Sequence, residues 1–135
     1  MTDDTPQAPL ARKLSLRDGM RCWFHAVPDA VQDEIDEYAL ELTFVGDPGE
    51  GIDAAHVFVT ARAELESLLP MLRHQISADG QIWVSWPTFA ASNATDVTDD
   101  LIRELATPLG LVDTKACAVD ETWSGLKLVI RKDLR

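Results

Sequence analysis

Residues 111–132 read "LVDTKACAVDETWSGLKLVIRK". Leu111–Val119 and Leu126–Lys132 are both β-type runs, and the few residues between them permit only a hairpin or a tight loop. The chain therefore ends in two antiparallel strands, and what stands before that hairpin decides how it is used.

Upstream, helical and extended patterns alternate. Met20–His25 is a compact apolar run opened by Asp18-Gly19 and closed by Pro28, which reads as the first strand. "DAVQDEIDEYAL" places Val31, Ile35 and Tyr38 or Ala39 on one helical face, with acids in the first turn where the helix dipole favours them. Leu40–Val45 is a short second strand before the turn "GDPGEG", and "AAHVFVT" is a third, apolar enough to be buried on both faces. "RAELESLLPMLRHQI" aligns Leu65, Leu68, Leu69, Leu72 and Ile76 on one stripe, with Pro70 expected to kink the helix and "SADG" to end it as a turn. "QIWVSWP" is the fourth strand and "TFAASNA" a loop. "TDVTDDLIRELATPLG" is the last helix, with Thr95, Asp96 and Thr98 as N-cap candidates and Gly110 at its end.

With right-handed crossovers, this succession gives a mainly parallel sheet of about six strands covered by helices, a Rossmann-like three-layer α/β sandwich. The expected strand order is second, first, third, fourth, last, fifth, so the final strand inserts between the fourth and the fifth. Residues 1–14 read as a flexible N-terminal segment that includes a short helical turn in "PLARKLSL", and residues 15–135 as a single domain.

The composition, 46% hydrophobic and 26% charged, is that of a globular domain. Twelve Lys and Arg against 23 Asp and Glu give a net charge of −11, a field that repels phosphate backbones and anionic headgroups. Nucleic acid and membrane are accordingly excluded as partners. Cys22 and Cys117 sit in apolar runs without metal or redox spacing and read as reduced and buried. The acidic start "MTDDTPQAPLARKL" has no apolar signal core and no run reaches membrane-spanning length, so a cytoplasmic location is expected.

This layout resembles the class I S-adenosylmethionine-dependent methyltransferase core, whose sheet ends in such a hairpin. "LRDGMRCWF" is similar to the start of that family's first strand, and "LLPMLRHQISADGQIWVSWP" to its helix-to-strand passage. "WP" together with "TDVTDDLIRELATPLGLVDTKACAVDETWSGLKLV" resembles an uncharacterised bacterial domain family of unknown function, in which a "DETWSG" ending recurs. That family usually carries basic residues after "WP", where Thr88-Phe89 stand here.

The methyltransferase resemblance implies a glycine-rich turn after the first strand, since only residues without a side chain let the backbone approach a cofactor. This chain reads "HAVPDAV" there, so His25, Val27 and Pro28 fill the space and Pro28 removes a donor. No cofactor is expected. Asp47 stands about twenty residues beyond the first strand, the separation of a ribose-binding acid, but "GDPGEG" reads first as an ordinary turn in which Asp is common.

His25, His56 and His74 have no metal-binding spacing, so no metal site is expected. His25 ends a strand where ligands bind in open sheets, or is a hydrogen-bonded structural residue. Trp83 and Trp86 point to opposite faces of a strand, Trp83 into packing and Trp86 into either core or a pocket. Asp96, Asp99 and Asp100 read as first-turn acids of the last helix. The fifth strand's carboxyl end brings Asp120, Glu121 and Trp123 to the same rim as His25, Asp47 and Trp86, where the turn either holds itself together or lines a cleft.

The candidate cleft is therefore His25, Asp47, Trp86, Asp96, Asp120, Glu121 and Trp123. The function expected from these residues is a non-catalytic Rossmann-like protein with a surface for a small molecule or a protein. The alternative is a divergent enzyme, methyltransferase-like or another transferase, using the Trp86, Asp120, Glu121 and Trp123 cleft.

Overall fold

The computed structural model describes residues 8–88 and 95–135. The segment α1 (Leu10–Lys13) leads into β1 (Arg21–His25), α2 (Asp29–Glu37) and β2 (Thr43–Phe44). After a 3-10 turn at Pro48–Glu50 come β3 (Ile52–Phe58), α3 (Arg62–Gln75), β4 (Ile76–Pro87), α4 (Asp99–Ala106), β5 (Leu111–Ala118) and β6 (Trp123–Ile130). One six-stranded sheet has the order β2-β1-β3-β4-β6-β5. β2, β1, β3 and β4 are mutually parallel, and β6 runs antiparallel between β4 and β5. The Rossmann-like sheet with its inserted last strand is thus as the sequence pattern predicts.

Alternation along the strands sorts the core onto two faces. Ala55, Val57, Ile82, Val84, Leu126 and Leu128 pack with Leu65, Leu69 and Leu72 of α3 and Ile102 of α4. Cys22, Ala54, Phe58 and Trp83 pack on the other face with Leu10, Ala11 and Leu14 of α1 and Val31 and Ile35 of α2. Full burial of each large aliphatic side chain contributes about 1.5–3 kcal/mol, so both helix layers are held chiefly by their apolar stripes.

Several boundaries differ from expectation, each for a physical reason. The flexible segment does not extend to residue 14: Leu10, Ala11 and Leu14 are buried, and the Leu14 carbonyl accepts bonds from Gln81 Nε2 at 2.7 Å and Trp83 Nε1 at 2.8 Å. Residues 1–7 lie outside the described residues. α2 stops at Glu37 because Ala39 takes a positive φ of 57°, which leaves Tyr38 38% exposed instead of in the core. β2 is only two residues long, since it pairs with the first half of β1 alone.

"SADG" does not end α3 in a turn; it lies within β4. The register passes from Ile52↔Ile76 to Ala54↔Gln81, so two steps along β3 meet five along β4 and the excess is absorbed as a bulge. Gly80 is required there, because a Cβ would lie 2.7 Å from the Asp53 carbonyl oxygen. α3 runs on through Pro70. Most of the predicted loop "TFAASNA" falls outside the described residues, which resume at Thr95. "WSG" belongs to β6, so the hairpin turn is confined to Val119–Thr122.

Candidate functional site

In open α/β sheets ligands bind outside the carboxyl ends of the strands. Among the described residues that rim is formed by the turns after β1 and β3, the end of β4, the approach to α4 and the β5–β6 turn.

The turn after β1 is His25-Ala26-Val27-Pro28. Ala26 supplies the left-handed conformation, φ 57°, that a glycine ordinarily provides. Val27 is half-buried against the α1–α2 face of the core, and Pro28 stands at the N-terminus of α2 without an N–H or a capping side chain. The half-buried His25 ring lies 5.5 Å from that of Trp23, which packs on the opposite, α3–α4 face.

The turn after β3 is closed by carboxylates. Glu64 Oε1 accepts from the Ala61 and Thr60 amides at 3.2 and 3.1 Å. Asp96 Oδ1 accepts from Arg62 N at 2.7 Å, and Thr95 donates its hydroxyl to the Thr60 carbonyl at 2.7 Å. Asp96 thus caps α3, not α4, whose N-cap is Thr98, its Oγ1 accepting from Leu101 N at 3.1 Å. The expectation that Asp96 sits in the first turn of the last helix is corrected: Val97 is buried between the two, which orients Asp96 toward α3.

Asp120 answers the question raised by the hairpin. Its Oδ1 accepts from Thr122 N and Trp123 N, each at 2.8 Å, the arrangement by which Asp stabilises a tight turn. Glu121 is exposed. Trp123 turns to the α1–α2 face and meets Phe58 edge-on, ring centroids 4.8 Å apart.

Trp86 faces the other way. It is half-buried against the α3–α4 core and, with Ser124, Asp99 and Arg103, lines a depression of about 390 Å³ between α4 and the hairpin. Arg103 is bracketed by Asp113 at 3.2 Å, Asp100 at 3.3 Å and Asp99 at 3.4 Å. Its hydrogen bond to Asp113, reinforced by the three negative charges, holds the guanidinium above its ordinary pKa. The Asp99–Arg103 spacing of four residues is legible in the sequence, whereas the β5 partner Asp113 and the Ser124–Trp86 pairing need the tertiary register.

Asp47 is not part of this rim. Its Oδ1 accepts from Gly49 N at 2.8 Å, and the Gly49 turn packs against Gln75, the last residue of α3, at the amino side of the sheet. α3 begins at the carboxyl rim, so its 14 residues, at about 1.5 Å each, set Asp47 roughly a helix length from Trp86. The seven candidates therefore do not converge. Trp86 lines a depression, Trp123 and His25 lie on different faces of the sheet, Asp96 and Asp120 are engaged by backbone amides, and Asp47 lies elsewhere.

Among the described residues no group of three or more His, Cys, Asp or Glu could hold a metal, and no helix is long and apolar enough to cross a membrane. The depression can offer an indole face, the Ser124 hydroxyl and a guanidinium already balanced by acids. These groups suit stacking and hydrogen bonding to a ligand.

The sequence expectation missed a buried polar pair: His56 Nε2 and Ser85 Oγ are 2.7 Å apart among Phe24, Phe58 and Trp83. Burial lowers the His56 pKa to about 3, so the ring is neutral. No spacing rule pairs residues 56 and 85; only the β3–β4 register does.

Comparison with solved structures gives methyltransferase folds. A putative type 11 methyltransferase from Sulfolobus solfataricus is 10% identical with a TM-score of 0.57, covering 97% of this chain and 95% of that one. Magnesium protoporphyrin IX methyltransferase from Synechocystis PCC 6803, solved with bound SAM, is 12% identical with a TM-score of 0.57 over 90% of this chain and 76% of that one. A TehB-like SAM-dependent methyltransferase from Corynebacterium glutamicum is 13% identical, with a TM-score of 0.54, 91% of this chain and 88% of that one. At these identities the likeness is one of fold. No curated protein matches the chain in sequence. Residues 16–132, the whole sheet and every α-helix but α1, match the family described as "Protein of unknown function (DUF3052)", and the chain belongs to that family.

Proposed function

We propose that this protein is a non-catalytic member of the methyltransferase-like fold that binds a small molecule or a protein at the carboxyl rim of its sheet, centred on Trp86. The observation that carries this reading is the turn after β1: Val27 packs half-buried against the core and Pro28 has no N–H at the place where the fold ordinarily brings bare backbone to a cofactor. Asp96 and Asp120 support it, because carboxylates engaged by one helix amide and two turn amides are poor acid–base catalysts in that role. The net charge of −11 disfavours nucleic acid and anionic membranes as the partner.

Calorimetric titration with S-adenosylmethionine and S-adenosylhomocysteine tests the first half of the proposal, and no saturable heat is expected. A thermal-shift screen of small molecules tests the second, since a ligand of the native state raises the melting temperature by mass action. A hit that Trp86→Ala abolishes supports the rim site. Saturable S-adenosylmethionine binding would instead favour the second reading, a divergent methyltransferase, for which the SAM-bound Synechocystis neighbour is the supporting observation.

A further inference from the structure

A second groove lies on the opposite, amino side of the sheet. It encloses about 570 Å³, within the range of small-molecule sites, between the α1–β1 connection, the end of α2 and the start of regular pairing in β4. Two backbone irregularities shape it. Ser15, a non-glycine residue, holds φ at 59°, and the β4 bulge lifts Asp79 outward while Gly80 lets the strand pass against the Asp53 carbonyl. Bulges re-aim side chains, and strained residues persist where the surrounding structure imposes them, often at sites.

Charge within the groove is divided. Arg12, Arg17 and Lys127 line it with Tyr38, in a protein whose net charge is strongly negative. Asp18 and Asp79 share the lining and, with Arg17 and Asp53, continue into an adjoining depression of about 390 Å³. Asp18 and Asp53 accept from the Glu41 and Arg21 amides, and Lys127 Nζ donates to Ser15 Oγ at 3.2 Å. Arg17 and Asp79 are exposed and make no side-chain bond among the described residues.

A simple anion entering here meets Asp18 and Asp79, and a simple cation meets Arg12 and Arg17. A ligand carrying both charges satisfies both. We propose that the amino-rim groove binds a small zwitterion of the amino-acid or short-peptide class, its carboxylate toward Arg17, its ammonium toward Asp79 and its side chain along the Tyr38 wall. This site is distinct from the carboxyl-rim surface proposed above and does not depend on it.

The test is a ¹H–¹⁵N correlation titration of the full chain with the common amino acids and their glycyl dipeptides. Expected are saturable shifts of the Arg17, Asp79 and Gly80 amides by at least one of them, and weaker binding of its des-amino and des-carboxy analogues. Exposed ion pairs are modest, so Arg17→Met and Asp79→Asn should each weaken the best binder roughly two- to fivefold. Arg17→Met should not affect the amine-only analogue, nor Asp79→Asn the carboxylate-only one. The proposal is overturned if no probe moves those amides, or if both variants bind as the parent does.

Discussion

His56 Nε2 and Ser85 Oγ form a 2.7 Å hydrogen bond between adjacent parallel strands, both side chains buried, while His56 Nδ1 has no partner among the described residues. A neutral imidazole is thus built into an aromatic layer, and protonating it would place a charge in a buried, aromatic environment.

Stability should fall on acidification for this reason. The folded His56 pKa is depressed from 6.5 to about 3, so between those values the unfolded chain binds a proton that the native protein does not. Unfolding free energy therefore rises with pH across this window and is lost as pH drops, at up to about 1.4 kcal/mol per pH unit. Urea denaturation between pH 6.5 and 5, where carboxylates are largely ionised, should show the slope, and His56→Gln should flatten it. An unchanged slope in the variant would mean that His56 is not the titrating group.

Ser85→Ala removes the only hydrogen bond of that ring among the described residues and leaves both nitrogens unpaired. The expected cost is about 1–3 kcal/mol at pH 7.5, measured by the same denaturation.

Asp120 and Glu121 should separate cleanly. Asp120→Ala frees the Thr122 and Trp123 amides and is expected to cost about 1 kcal/mol, similar to losing a cap, whereas exposed Glu121→Ala should stay within about 0.5 kcal/mol of the parent. Equal effects from the two substitutions would reject the assignment of Asp120 as the turn's anchor.

The N-terminal turn should behave as core. Leu14→Ala, at a fully buried position, is expected to cost about 2–5 kcal/mol, and hydrogen exchange should show the Leu14 and Leu16 amides protected in the parent. A near-neutral variant would mean that α1 is not docked as described.

Most of the architecture is legible in sequence because it rests on short-range signals. The helical stripe Leu65, Leu69, Leu72, the strand runs around Cys22, Val57 and Val84, and the closely spaced terminal runs each report local periodicity, and the crossover rule then orders the strands. The misread boundaries were those where tertiary contact overrides a local signal: "SADG" has turn chemistry, yet pairing with β3 draws it into β4 as a bulge, and the helical turn in "PLARKLSL", present as α1, is docked rather than flexible because Trp83 and Gln81 bind the Leu14 carbonyl.

The site divides in the same way. Sequence by itself determined the sheet, its inserted last strand, the two-faced placement of Trp83 and Trp86, and the absence of glycine after β1. Only the tertiary structure decided that Asp96 caps α3, that Asp47 belongs to the opposite rim, that Arg103 reaches Asp113, and that His56 meets Ser85. Hydrogen bonds and ion pairs depend on angstrom-scale distances between residues far apart in the chain, and register, bulges and helix length set those distances, whereas periodicity records only which face a residue prefers.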